Sequence, residues 1–139
     1  MTVAAVIEQA GNYLLVEEKI GDRICYNQPA GHLEEGETLF QAVTREVLEE
    51  TAYHFVPQYL VGIYHWKRSD ATFMRFTFGG TIAGHDPARA LDKEIIATHW
   101  LSPEAIKNLG EKLRSPMVSQ CFNDHLEGKR YPLQLLTHL

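Results

Sequence analysis

The first third of the chain alternates short apolar runs with turn residues. Two β-rich runs, TVAAVIEQ (2–9) and YLLVEEKI (13–20), are joined by AGN, which predicts a β-hairpin. GDR is a second turn signal, and the extended run after it, ICYNQPAG, is broken at Pro29 and Gly31. The N-terminal part is therefore predicted to be β-structure.

Residues 38–52 change to a helical pattern. Thr38, followed three residues later by Gln41, fits a capping box at the start of a helix. The apolar residues of one helix face are Phe40, Val43 and Val47. The segment therefore predicts one amphipathic helix after the first strands.

The rest of the chain returns to strands and ends in helical segments. After Pro57, the runs YLVGIYHW and FMRFTFGGTIAG predict two strands, and EIIATHWL predicts another. SPEAIKNLG and SPMVSQCFNDHLEG each begin with a serine N-cap and a proline at the first helical position, and each ends at glycine. The order of elements predicts an α+β or α/β domain with a mixed sheet.

Length and charge narrow the functional classes. The chain has 139 residues, which predicts a single domain over 1–139. A formal net charge of -5 argues against general binding to nucleic acid or to an anionic membrane. Cys25 and Cys121 are far apart and form no CxxC, so they are interpreted as reduced thiols of a cytoplasmic protein. The N-terminal residues lack the basic region of a signal peptide, and no apolar run has membrane-spanning length.

Three glutamates are crowded onto one side of the predicted helix. At about 100° per residue, Glu50 lies about 40° to one side of Glu46 and Glu49 about 60° to the other. Like charges at this spacing destabilise a helix slightly, so they require either solvent or a counter-charge. An exposed, solvated helix face is the common explanation of such a pattern, and the flanking residues decide against it here.

The flanking residues form the spacing G-x5-E-x7-R-E-U-x-E-E, where U is a bulky aliphatic residue. Its positions are Gly31, Glu37, Arg45, Glu46, Val47, Glu49 and Glu50. This pattern resembles the Nudix box, the signature of the Nudix hydrolase family. The family pattern continues with glycine where this chain has Ala52. Glycine there supplies a left-handed helix cap, and alanine in the same conformation costs about 1 kcal/mol.

The resemblance implies the Nudix fold, an α/β/α sandwich with a mixed β-sheet between helices, and a hydrolase of nucleoside diphosphates linked to another group. It implies that Glu46, Glu49 and Glu50 are catalytic metal ligands, one of which also acts on the attacking water. The catalytic Arg45 would orient the site and pair with Glu49, Glu37 would brace the loop, and the carbonyl of Gly31 would complete the metal shell. Carboxylates converging on one stripe suit Mg²⁺ or Mn²⁺, which prefer oxygen ligands and bridge to phosphates.

Two further segments, NQPAGHLE and LRSPMVSQCFNDHLEGKRYPLQLL, resemble the NudJ phosphatase branch of the family. That resemblance implies release of orthophosphate from nucleoside di- and triphosphates. It also implies activity on thiamine-related diphosphates, such as hydroxymethylpyrimidine diphosphate and thiamine diphosphate. Two alternatives stay open: a pyrophosphohydrolase acting on nucleoside triphosphates or sugar-linked diphosphates, and a non-catalytic nucleotide-binding module. The protein is expected to be a monomer or a homodimer.

Outside the box, a few residues are candidates for substrate binding. Glu94 precedes a predicted strand and can add a carboxylate to the site, although a solvated loop is an equal alternative. Trp66, Tyr26 and Phe76 can stack on a heterocycle, although core packing is the commoner role of aromatic residues. Arg75 alternates with apolar neighbours on a strand, so it faces away from them and can meet a phosphate.

Overall fold

The computed structural model describes residues 1–139, and its seven strands form one mixed sheet. The strands are β1 Thr2–Gln9, β2 Asn12–Ile20, β3 Arg23–Asn27, β4 Ala30–His32, β5 Tyr53–Lys67, β6 Thr72–His85 and β7 Ile95–Leu101. The helices are α1 Leu39–Thr51, α2 Pro103–Leu109 and α3 Pro116–Leu126, with short 3-10 turns at Gly110–Lys112 and Leu133–Leu135.

The order of the main path is β3-β2-β1-β6-β5, with β4 paired to β1 and β7 paired to β2. Strand β1 pairs in parallel with β6, and every other pairing is antiparallel. This arrangement confirms the predicted mixed sheet. It also brings β4 and the start of β6 to opposite sides of the start of β1, where the site described below is built.

Strand β1 carries apolar side chains on both of its sides, and helices cover both faces of the sheet and bury them. Val3, Ala5 and Ile7 pack in the core under α1. Val6 points the other way, into a second core formed with α2 and α3. The alternation follows from the two-residue period of a strand. The α/β/α sandwich expected from the resemblance is therefore confirmed.

Helix α1 begins and ends close to its predicted limits. The amide of Gln41 donates to Thr38 Oγ1 at 3.1 Å, and the amide of Thr38 donates to Gln41 Oε1 at 2.9 Å, so the capping box is complete. At the other end Ala52 has φ 62° and donates its amide to the carbonyl of Leu48 at 2.9 Å. The chain therefore keeps the left-handed cap although alanine replaces the glycine of the family pattern.

The predicted start of β5 is wrong. The strand begins at Tyr53, immediately after α1, and runs through Pro57. Pro57 lies opposite Gly80, next to a register shift, on the edge strand of the sheet. A proline is tolerated at such a place because its missing N–H removes no hydrogen bond of a central ladder.

A buried histidine ties α3 to the sheet. His125 is hydrogen-bonded through Nδ1 to the hydroxyl of Tyr13 at 2.7 Å and through Nε2 to the hydroxyl of Tyr59 at 2.9 Å. Burial, and secondarily the charge of Arg130, lowers the pKa of His125 to about 4. The imidazole is therefore neutral in the folded protein at neutral pH.

We expect this histidine to make stability depend on pH. Above the ordinary pKa of 6.5, neither the folded nor the unfolded chain carries the proton. As the pH falls from 6.5 to about 4, the unfolded chain binds a proton that folded His125 does not, so the free energy of unfolding decreases, by up to about 3 kcal/mol. Urea unfolding across this range should show a shallower decrease for His125→Gln than for the wild type, and parallel curves would contradict the assignment.

Candidate active site

Three carboxylates from two parts of the chain meet beside α1. Glu46 and Glu50 are 9% and 8% exposed, and Asp92 joins them from the loop before β7. One carboxylate oxygen from each side chain lies within 4.8 Å of the others. These three residues are called the acidic cluster below.

Asp92 was not among the residues predicted from the sequence. Its amide donates to the carbonyl of Glu49 at 3.0 Å, which ties the loop to the last turn of α1. No spacing pattern links it to the box, because the contact depends on how β6 and β7 return the chain to the helix. The sequence offered Glu94, two residues further on, as a candidate carboxylate, with a solvated loop position as an equal alternative.

The electrostatics of the acidic cluster favour a cation. Burial raises the pKa of Glu50 to about 9, against the opposing hydrogen bond from the amide of Ala30 at 2.9 Å. Burial also raises the pKa of Glu46, and partial desolvation with the nearby charges of Glu49 and Glu94 raises that of Asp92. Converging carboxylate oxygens that resist ionisation alone fit a hard divalent cation, which would neutralise them. The residues present therefore fit the metal that the box implies.

Gly31 leaves the space that the Glu46 carboxylate occupies. A methyl group added at Gly31 would lie 2.1 Å from Glu46 Cδ and 2.2 to 2.3 Å from its two oxygens. Glycine is thus required here for the position of a neighbouring side chain. The predicted role of the Gly31 carbonyl as a metal ligand stays a prediction.

The Gly31→Ala variant should lose activity while remaining folded. The methyl group must push the Glu46 carboxylate aside, and a displacement of about 1 Å at a catalytic group costs about 100-fold in kcat. The displaced group is the end of a side chain, so urea unfolding should change by less than about 1 kcal/mol. Gly84→Ala is the control, because a methyl group there meets only His54, at 3.6 Å. A Gly31→Ala enzyme with the wild-type kcat would contradict this geometry.

Arg45 links the loop before α1 to two glutamates of the helix, Glu46 and Glu49. Its Nε and Nη2 donate to the two carboxylate oxygens of Glu37 at 2.6 and 2.9 Å, and Nη2 also donates to the carbonyl of His32 at 3.0 Å. Its Nη1 donates to Glu46 at 2.8 Å and to Glu49 at 2.7 Å. The geometry agrees with the orienting role predicted for Arg45 and with the bracing role predicted for Glu37.

Glu49 takes a different place from its two neighbours. Its side chain is 28% exposed and pairs with Arg45, outside the acidic cluster. Two carboxylates of α1 and one of the loop therefore form the acidic cluster, and the role of Glu49 as a metal ligand stays a prediction. The helical angle turns Glu50 toward β4, where it accepts from the amide of Ala30, whereas Arg45 lies between Glu46 and Glu49 and donates to both.

The acidic cluster borders a cavity of about 410 Å³. Glu46 and Glu50 line it, and so do four other residues singled out from the sequence: Gly31, Trp66, Arg75 and Glu94. His32, Arg68 and Arg114 also line it. The structure does not bring Tyr26 or Phe76 to it. Tyr26 packs against the second core and His99, and Phe76 packs against the first core, so both aromatic rings serve packing.

Two aromatic rings form one wall of the cavity. Trp66 and Phe73 are stacked, with ring centroids 5.4 Å apart and an interplanar angle of 24°. The guanidinium of Arg68 lies over both rings, at 5.7 and 5.3 Å. Phe73 was not predicted from the sequence, and it reaches the wall because β6 pairs it with Trp66 on β5. The two rings and the guanidinium that covers them therefore lie in the same cavity as Glu46 and Glu50.

Comparison with known proteins decides the family. The NUDIX domain family matches residues 1–121. The chain belongs to the Nudix family. Phosphatase NudJ of Escherichia coli strain K12 is 39% identical over 137 residues, which cover 98% of this chain and 89% of NudJ.

Solved structures agree with this Nudix assignment. A NUDIX hydrolase from Nitrosomonas europaea superposes with a TM-score of 0.96 at 50% identity, covering 99% of this chain and 95% of that one. A MutT protein from Methanosarcina mazei Go1 superposes with a TM-score of 0.71 at 28% identity, covering 92% and 94%. The protein is thus a Nudix hydrolase, an enzyme that hydrolyses phosphoric anhydride bonds. None of its helices is long and apolar enough to span a membrane.

Proposed function

We propose that this Nudix hydrolase is a Mg²⁺-dependent phosphatase that releases orthophosphate from nucleoside di- and triphosphates and from thiamine-related diphosphates. The observation that carries the proposal is the acidic cluster at a cavity that also has the wall of Trp66 and Phe73. One side can hold a phosphate chain through a divalent cation, and the other can stack on a heterocycle.

The residues divide the work between holding the cation and keeping the ligands in place. Glu46, Glu50 and Asp92 would hold Mg²⁺, with Glu49 as a further carboxylate next to them. When bound, the metal would neutralise the charge of the phosphate and activate water. Arg45 fixes the direction of the Glu46 carboxylate, and Glu37 fixes Arg45. The buried amide of Ala30 on β4 donates to Glu50 and holds its carboxylate.

The choice of bond is supported by the similarity to NudJ, a phosphatase by name. Physically, the product depends on which phosphorus lies next to the activated water, in line with the leaving oxygen. A heterocycle against Trp66 and Phe73 would leave the terminal phosphate at the acidic cluster. A shift of one phosphate along the same cavity would instead give the pyrophosphohydrolase alternative.

The test is hydrolysis of GDP, GTP, thiamine diphosphate and hydroxymethylpyrimidine diphosphate with Mg²⁺ in ¹⁸O-water, followed by phosphorus NMR and mass spectrometry. The expected result is label in orthophosphate from each diphosphate, with GDP appearing before GMP when GTP is the substrate. Pyrophosphate from GTP, with no orthophosphate from any diphosphate, would overturn the phosphatase proposal in favour of a pyrophosphohydrolase. Tight binding of these ligands without turnover would favour the binding module.

A further inference from the structure

Four buried side-chain atoms of the protein lack a hydrogen-bond partner, and three of them belong to residues that line one cavity. They are Asn27 Oδ1, Gln28 Nε2, Arg75 Nε and Ser115 Oγ. Asn27, Arg75 and Ser115 line the cavity described above, and Gln28 contacts Arg75. Buried polar atoms are nearly always paired in folded proteins, so a group of unpaired ones at a cavity points to a ligand.

Arg75 is the most costly of these groups to leave unpaired. It is 6% exposed, and its one hydrogen bond runs from Nη1 to Gln28 Oε1 at 3.2 Å. A buried guanidinium without an anionic partner loses far more solvation than one amide oxygen returns. Glu18 and Glu50 are the two carboxylates near Arg75, and both have other partners. Glu18 pairs with Arg114 at 2.9 Å, and Glu50 accepts from the amide of Ala30 at 2.9 Å. Arg75 is therefore a buried cation with room for an anion.

Helix α3 adds to the positive potential at the same place. The helix has 11 residues and starts at Pro116, with Ser115 as its N-cap and with Met117 also lining the cavity. Ser115 was predicted to cap this helix, but its hydroxyl makes no capping hydrogen bond. The hydroxyl is therefore free to meet a ligand, and the helix N-terminus favours a negative one.

We propose that Arg75, Ser115 and the N-terminus of α3 bind the phosphate that stays with the organic product, while the acidic cluster takes the phosphate that leaves. Gln28 is a positioning residue, which holds the Arg75 guanidinium toward the cavity. This inference rests on the proposed function, because it assigns the two phosphates of a diphosphate to two ends of one site. It requires the monophosphate product to bind through Arg75.

The test is calorimetric titration of the Mg²⁺-loaded protein with GMP and, separately, with guanosine. Arg75→Met should weaken GMP binding by about 10- to 100-fold, since it removes charge-assisted hydrogen bonds to phosphate. Gln28→Met should weaken GMP binding by about 3- to 10-fold, because the guanidinium remains but is no longer oriented. Guanosine binding should be unchanged in both variants.

A double variant separates positioning from a structural role. In an Arg75→Met background, adding Gln28→Met should cause no further loss of GMP affinity, because Gln28 acts through Arg75. Thr81→Val is the control, because Thr81 lies six residues further along β6, opposite Val56 on β5 and outside the lining of the cavity. It should leave GMP binding unchanged.

Several results would overturn the assignment. They are equal losses of GMP and guanosine affinity in Arg75→Met, additive effects of the two substitutions, or no binding of GMP by the wild type. If Arg75→Met does not fold, Arg75→Lys keeps the charge without the planar fork, and it should still weaken GMP binding but not guanosine binding. Wild-type release of orthophosphate alongside any of these results would leave the proposed function standing and remove only this subsite.

Discussion

Excess EDTA should abolish hydrolysis of every diphosphate, and adding Mg²⁺ or Mn²⁺ should restore it. Without a cation, Glu46, Glu50 and Asp92 would meet a phosphate chain either as like charges or as protonated groups with no ability to neutralise it. Hydrolysis depends on placing positive charge where the transferring phosphoryl group develops negative charge. Orthophosphate release, followed before and after chelation, measures this directly.

Reloading is the control for the chelation experiment. Enzyme that is treated with EDTA, dialysed and returned to Mg²⁺ should regain the original rate, which shows that chelation did not unfold it. Full activity in excess EDTA after prolonged dialysis would contradict the metal requirement. Loss of activity that Mg²⁺ and Mn²⁺ both fail to restore would also contradict it.

Glu46→Gln and Glu50→Gln should each lower kcat by about 1000-fold or more, since each removes a charged oxygen from a site that acts as a unit. The folded state should be as stable as the wild type in the absence of metal, or slightly more stable. The reason is that a buried carboxylate with a raised pKa is replaced by a neutral amide of nearly the same shape. Steady-state kinetics with saturating Mg²⁺ and metal-free urea unfolding measure the two effects.

Glu35→Gln is the matched control for these substitutions, because Glu35 is an exposed glutamate in the loop before the helix. It should leave both kcat and stability unchanged. A near wild-type kcat for Glu46→Gln or Glu50→Gln would remove that residue from the active site. If both variants unfold, Glu46 and Glu50 serve the stability of the fold and not the reaction.

The sequence was sufficient for the parts of the site that are local in the chain. The capping box of Thr38 and Gln41, the helical spacing of Glu46 and Glu50, and the pairing of Arg45 with Glu49 all lie within one short segment. Their relative positions follow from helix geometry and from one loop. For this reason the sequence alone was enough to recognise the box and to predict that Arg45 and Glu37 hold it in place.

The missing parts depend on contacts between distant segments. Asp92 reaches Glu46 only because the loop before β7 bonds to the end of α1. Gln28 meets Arg75 across 47 residues of sequence, and no spacing pattern marks such a pair. The packing of Tyr26 could not be distinguished from stacking for the same reason, since its neighbours in the second core come from other elements.

The most direct test of the metal site is a titration of metal-free protein with Mn²⁺, followed by electron paramagnetic resonance. Asp92→Asn, Glu46→Gln and Glu50→Gln should each weaken Mn²⁺ binding by about tenfold or more. Asp86→Asn should bind as the wild type does, because Asp86 pairs with His54 at 2.9 Å outside the acidic cluster. Wild-type Mn²⁺ affinity in all three cluster variants would contradict the claim that Glu46, Glu50 and Asp92 hold the metal of this enzyme.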